Sequence, residues 1–274
     1  MPRRGRGGQT APLSPLDARA AIGKPRAMFP IRDHNPSGRT PYVTWTLIAA
    51  NTGIFLTYWL SFTADWELTR FFLTWGLVPG KVTHGIAPQT VITSMFLHGG
   101  WMHLIGNMWF LWLFGDNMED EMGHTRFLLF YLGAGLAAAV LQIAVDPHSP
   151  VPMVGASGAI AGVMGGYLLL FPKARIDVLF IIVIFFRIFA IPAWIVLGVW
   201  FGLQLFNGAV TPTDGGGVAY WAHVGGFFGG LALTLPALLR RGGKAYWTET
   251  KGHPPHPPAV YPTGRSSIPR VPRR

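Results

Sequence analysis

The stretch VGASGAIAGVMGG, Val154–Gly166, sets a single hydroxyl among glycines, alanines and aliphatic side chains. Gly158, Gly162 and Gly166 recur every four residues, and Ser157, Ala161 and Gly165 form a second row beside them. On a helix, rows of small residues are faces on which a neighbouring backbone approaches closely, which is how helices associate in lipid. A serine in such a run is commonly a quiet packing residue. Its surroundings must decide whether it does chemistry.

Composition supplies the setting. Half of the 274 residues are hydrophobic and 12% are charged, against roughly 25% charged in an average soluble domain. The chain reads as an all-α polytopic membrane protein. A spanning helix needs about 20 apolar residues, and six segments qualify: 43–63, 92–115, 125–145, 155–171, 190–207 and 218–239. Between the last two of the first five lies IDVLFIIVIFFRIFAIP, Ile176–Pro192, β-branched and aromatic. It either extends the fifth helix or forms an interfacial hairpin.

Of the 22 Lys and Arg, eight fall in residues 1–42 and eight in 240–274. We therefore expect a disordered basic N-terminal tail (1–42), a six-helix membrane domain (43–240) and a disordered, Pro-rich basic C-terminal tail (241–274), both tails cytoplasmic and near an anionic leaflet. Lys173 and Arg175 follow the fourth segment, whereas 146–154 and 208–217 carry no Lys or Arg. That alternation fits six spans with both termini inside. The loop 64–91 is then external, and Trp66, Phe71, Phe72 and Trp75 suit it to the interface. Asp116, Glu119, Asp120 and Glu121 read as a solvated cap and turn. The start of the chain lacks the short apolar core of a cleavable secretory signal, so the first span serves as an uncleaved insertion signal. With no cysteine, thiol catalysis and Cys-based metal sites are excluded. Nucleic acid is not an expected partner, because no basic fold or aromatic interleaving accompanies the basic tails.

Polar side chains inside spans are expensive and point to function. The second segment holds His98, His103 and Asn107, the fourth opens with Ser157, and the sixth begins YWAHVGGFFGG with His223. In a six-span chain these three helices run the same way, which places His98, His103, Ser157 and His223 in the outer half of the bilayer. At about 100° per residue His103 and Asn107 share a face, while His98 sits about 140° away from His103. Gly226 and Gly230 lie within about 60° of His223. If that face meets the glycine row of the fourth helix, Ser157 and His223 come together. A serine beside a neutral histidine is the minimal activated nucleophile. Asn107, His103 and the Ser157 backbone N–H are then candidate donors to an oxyanion, and Gly155 allows a sharp turn and close approach of substrate. No intramembrane Asp or Glu is available to orient His223, so the expectation is a dyad.

These residues resemble the rhomboid intramembrane serine proteases. GASG around Ser157 is similar to the family's G-x-S-G, AHVGGFFGG to its A-H-x-x-G-x-x-x-G, and HGGWMHLIGN to its H-x-x-x-x-H-x-x-x-N. The three motifs stand in the family's order over roughly residues 43–240. The resemblance implies Ser157 as nucleophile, His223 as general base and acid, His103 and Asn107 as oxyanion-hole side chains, and His98 with Gly155, Gly158, Gly226 and Gly230 in support. It implies cleavage of transmembrane protein substrates in the lipid bilayer, a bacterial inner membrane as location, and no metal or cofactor. A tyrosine that in several members follows the serine by four residues and packs on the histidine is replaced here by Ala161, and Pro88-Gln89 stand where many members have Trp-Arg. Three other functions compete. A non-cleaving protein of the same fold would escort membrane clients and would have no need of serine and histidine together. A histidine proton relay in a transporter would be expected with an inverted repeat, which is not visible. A zinc protease would need H-E-x-x-H, which does not occur.

Overall fold

The computed structural model describes residues 33–182, 185–211 and 217–255, and the side chains of 179–187 lie outside that description. Most of both expected tails, 1–32 and 256–274, falls outside it too. The chain is mostly helical. Helices α1 (Tyr42–Trp59), α2 (Asp65–Trp75), α3 (Trp101–Met122), α4 (His124–Val145), α5 (Ser157–Leu170), α6 (Ala193–Val210), α7 (Tyr220–Arg240) and α8 (Lys244–Thr250) follow in order, with single turns at Pro79–Val82 and Thr90–Thr93. Each of the six expected apolar segments contains a long helix: α1 and α3 to α7. Among the described residues α4, α6 and α7 are long and apolar enough to cross a membrane, and α5 is apolar but shorter. Leu129, Leu136 and Val140 of α4 and Val199, Leu203 and Phe206 of α6 are exposed. Large apolar side chains facing outward on such helices suit lipid rather than water.

Helix α5 is the centre, with every residue from Gly158 to Tyr167 buried. Its glycines are there because atoms of neighbouring helices, side chain and backbone, occupy the space a side chain would need. A Cβ on Gly162 would lie 2.9 Å from Gly226 O, and Cβ atoms on Gly226 and Gly230 would overlap the backbones of Gly158 and Gly162. Gly158 faces Ala222 and Gly162 faces Gly226, so α5 and α7 run parallel. Gly158 also faces Ala138 and Gly162 faces Ala134, so α4 runs the opposite way. His103 beside Gly155 and Met118 beside Gly166 make α3 parallel to α5, as the sequence led us to expect.

Three findings differ from the sequence reading. The second segment is not one helix from residue 92: a turn at Thr90–Thr93 and a 3-10 turn at Ser94–Phe96 precede extended backbone at Leu97, and α3 begins at Trp101. The cause is Tyr58, whose Oη donates to His98 O at 2.7 Å and accepts from His98 N–H at 2.8 Å. With both backbone groups satisfied this way, His98 has no need of helical partners. Ile176–Pro192 adopts the hairpin alternative, as antiparallel strands β1 (Arg175–Ile182) and β2 (Phe185–Pro192) pairing Arg175 with Pro192 and Val178 with Phe189. It is the exception to the all-α expectation.

The third difference is the acidic turn, which is not a solvated cap. Glu119 is fully buried and accepts from Val43 N, Thr44 N and Thr44 Oγ1, each at 2.8 Å, and contacts His124 Nδ1 at 2.6 Å. The first N–H groups of a helix have no partner of their own, and Pro41 offers no side-chain cap. Glu119 caps α1 from another helix. Asp116 accepts from Ser37 Oγ, Asp120 from Gly38 N, and Glu121 pairs with Arg241. Packing thus continues beyond 43–240: Asp33 and Asn35 are buried, and α8 buries Tyr246 while Trp247 Nε1 donates to Leu169 O.

Two outcomes follow. Glu119→Ala should lower stability by roughly 1–3 kcal/mol, the usual penalty for stranding buried donors; an unfolding midpoint in detergent equal to wild type would show the cap to be dispensable. Asp33 accepts from Tyr167 Oη at 2.5 Å and Asn117 Nδ2 at 3.1 Å, yet burial outweighs these bonds and pushes its carboxyl up from 3.8 to about 7. A carboxyl raised in the folded state binds its proton more tightly there than when unfolded, so its contribution to stability is lost as pH rises from about 4 to about 7. Asp33→Asn should therefore flatten this part of the stability profile, and an unaltered slope in a pH series of melts would refute the assignment.

Candidate active site

Ser157 opens α5, so its backbone N–H is one of the helix's unpartnered first-turn donors. The turn before it is made by Gly155 at φ +131°, a conformation open to glycine and strained for other residues. Space demands glycine as well. A Cβ at residue 155 would sit 2.8 Å from His103 Nε2 and 3.5 Å from Ser157 Oγ. The imidazole Nε2 and the hydroxyl therefore border the same point.

His103 lies in the first turn of α3, and its Nδ1 accepts the Gly99 N–H at 3.3 Å. A neutral imidazole that accepts at Nδ1 carries its proton on Nε2. The N–H of His103 thus faces Gly155 and Ser157. His98 stacks edge-on against this ring with centroids 5.1 Å apart, is fully buried, and among the described residues has no hydrogen-bond partner on either ring nitrogen. Its contact is with His103 rather than with the serine.

His223 is the fourth residue of α7. That helix start is tied down twice, by Ala222 N donating to Gln142 Oε1 of α4 at 3.1 Å and by Trp221 Nε1 donating to Gly208 O of α6 at 3.1 Å. The His223 ring packs on Trp200 with centroids 5.8 Å apart and an interplanar angle of 35°, and its Nδ1 is 2.8 Å from Gln204 Oε1. Trp200 thus occupies the role left open by Ala161. Neither Trp200 nor Gln204 was picked out from the sequence. The available signal was Gln204, one of two amide side chains with Asn207 on the fifth apolar segment, the kind of intramembrane polar residue that points to function.

Ser157, His103 and His223 line one cavity of about 560 Å³, together with Met102, Gln142, Ser149, Met153 and Trp221. That is the size range of small-ligand and peptide side-chain pockets, about 300–1,000 Å³. Neither Asn107 nor His98 borders it. Asn107 is buried one turn along α3, and its amide donates to His103 O at 2.8 Å. Gly158, Gly226 and Gly230 form the backbone contact between α5 and α7 that brings Ser157 and His223 to one end. The arrangement offers a hydroxyl, an imidazole held on its far side, a second imidazole with its N–H aimed inward, and a free backbone N–H.

The rhomboid domain matches residues 87–240. Rhomboid-like protein 11, chloroplastic, of Arabidopsis thaliana is 34% identical over 131 residues, 47% of this chain and 42% of the relative. Rhomboid protease GluP of Bacillus subtilis (strain 168) is 36% identical over 146 residues, 53% of this chain and 26% of the relative. Rhomboid protein 1, mitochondrial, of Saccharomyces cerevisiae is 31% identical over 143 residues, 50% of this chain and 38% of the relative. The matched parts cover about a quarter to under half of those relatives' lengths. The domain match takes in all three motifs and the helices that carry them, and the chain belongs to the rhomboid family.

Proposed function

We propose that this protein is an intramembrane serine endopeptidase that cleaves transmembrane segments of other membrane proteins. One observation carries the reading: Ser157, His223 and an inward-facing His103 N–H border a single cavity at one end of a lipid-suited bundle. Ser157 Oγ attacks the scissile carbonyl carbon while His223 takes its proton, and a C–O bond forms as the carbonyl π bond becomes an oxyanion. The His103 Nε2–H and the Ser157 backbone N–H receive that charge, and Asn107 supports His103 from behind through its bond to the His103 carbonyl. His223 then protonates the leaving amine as the C–N bond breaks, and water releases the acyl group by the same steps. A helical segment keeps its carbonyls hydrogen-bonded, so the substrate is a transmembrane segment locally unwound at the cut.

We read α1 and α3 to α7 as six spans with both termini cytoplasmic. The supporting features are Lys173 and Arg175 after the fourth span and the apolar outward faces of α4, α6 and α7. Protease-named relatives from Bacillus subtilis support a bacterial inner membrane, while other relatives carry chloroplastic and mitochondrial names. One observation favours a second reading, a non-cleaving rhomboid-like protein that binds membrane clients. Ser157 Oγ makes no hydrogen bond with His223 within 3.5 Å among the described residues. Such bonds are often long in free enzymes and tighten with substrate, so the test is reactivity.

Wild-type protein in detergent should label with a fluorophosphonate probe and cleave a transmembrane-helix peptide, whereas Ser157→Ala and His223→Ala should do neither while keeping their melting behaviour. Cleavage retained by purified Ser157→Ala would remove the nucleophile from the scheme. His103→Ala should reduce kcat roughly 10²-fold with KM little changed, as for the loss of one oxyanion donor; an equal kcat would take His103 out of the oxyanion hole.

A further inference from the structure

We propose that Gln204 is a positioning residue for His223, holding its imidazole in the Nδ1–H tautomer so that Nε2 is bare toward Ser157. The proposal rests on the protease reading of Ser157 and His223. It adds a third member, on a helix that carries neither of them.

The geometry assigns the roles of the atoms. Gln204 Oε1 is 2.8 Å from His223 Nδ1, and Gln204 Nε2 donates to Trp200 O, one turn back on α6, at 3.3 Å. The bond to Trp200 O uses the amide nitrogen as donor, so the oxygen faces the histidine. An amide oxygen only accepts, so Nδ1 must carry the hydrogen. A neutral ring with hydrogen on Nδ1 leaves its lone pair on Nε2, and His223 borders the cavity shared with Ser157. Trp200 closes the other degree of freedom, because its ring packs on the imidazole while its backbone anchors the amide. One turn of α6 thereby sets both tilt and tautomer.

The choice of an amide suits its surroundings. Gln204 is only 8% exposed, within the apolar stretch AWIVLGVWFGLQLFNGAV of α6. A buried carboxylate there would carry the desolvation penalty of an ion, whereas an amide with both ends bonded does not. During attack the hydroxyl proton moves to Nε2, while the Nδ1 hydrogen stays on the ring and remains donated to Gln204. No proton passes to the amide. Gln204 thus supplies orientation without general-base chemistry of its own, which accounts for a site with no intramembrane carboxylate.

The test compares wild type, Gln204→Leu and Gln204→Glu in detergent. It uses ¹⁵N spectra of labelled imidazoles, fluorophosphonate labelling, and kcat and KM on a fluorogenic transmembrane-helix peptide with alanine before a glycine pair. Wild-type His223 should give the Nδ1–H signature. Gln204→Leu should lose it and lower kcat roughly tenfold at unchanged KM, the size of one neutral hydrogen bond. Gln204→Glu keeps an acceptor oxygen in place and should restore the tautomer and most of kcat. An unchanged spectrum and kcat in Gln204→Leu overturns the proposal, and so does a loss confined to KM or shared equally by both variants. Wild type that neither labels nor cleaves overturns the protease reading instead, and the two failures stay separate because the imidazole spectrum reports the Gln204–His223 bond without turnover.

Discussion

Everything in this protein depends on how closely α5 and α7 approach. Backbone sits where Cβ atoms would be at Gly226 and Gly230, and Gly158 and Gly162 receive them. Each helical glycine costs about 1 kcal/mol of intrinsic propensity relative to alanine. In lipid that loss is offset by van der Waals contact along two whole helix faces, since no hydrophobic effect drives apolar helices together there. The parallel pairing has a chemical result. Because Gly158 stands opposite Ala222, Ser157 and His223 are the residues next to the first contact of the zipper, one preceding it and one following it. Ser157 and His223 inherit their separation from the backbone packing below them.

The site then handles its polar groups by giving each ring nitrogen one job. His103 accepts from Gly99 at Nδ1 and so presents a donor at Nε2, and His223 contacts Gln204 at Nδ1. On the reading proposed here the two imidazoles are used in opposite senses, one to donate to an oxyanion and one to receive a proton. Neither use calls for a charged ring at rest, which suits a bundle interior where an unpaired ion would be expensive. The start of α7 is also held by Gln142 and Gly208 from two different helices. An imidazole near a fraying helix end would not keep its angle, and these bonds remove the fraying.

Much of this was legible in the sequence, for reasons that differ by residue. The glycine rows, the serine and the three motifs were readable because each is local, with a period that belongs to one helix. The parallel course of α3, α5 and α7 followed from counting spans. What was misread depends on partners distant in the chain. Glu119 looks like a solvated turn until Val43 and Thr44 arrive with their unpartnered N–H groups. His98 looks helical until Tyr58 takes both its backbone groups. Gln204 is one amide in an apolar run, and nothing in its neighbourhood along the chain announces a histidine 19 residues later. The hairpin at Arg175–Pro192 was half legible, since β-branched and aromatic content favours strands while the length alone fitted a helix extension.

The two ends of the bundle are built for opposite purposes. At the cavity end, polar groups line an opening: Gln142 and Ser149 stand with Ser157 and His223. At the other end, Tyr167 and Asn117 donate to Asp33, Asp116 holds Ser37, and Glu119 closes the first turn of α1. The aromatic rings of Phe114, Tyr167 and Phe171 pack edge-to-face beneath that network. On the proposed reading the site needs water at one depth, and the bundle must not become a channel. Among the described residues the cavity opens at the end where α5 and α7 begin, and bonded carboxylates and edge-to-face rings seal the other, which meets both requirements in one bundle. The N-terminal segment from Asp33 onward is part of the seal, which is the physical reason it packs rather than trailing into solvent.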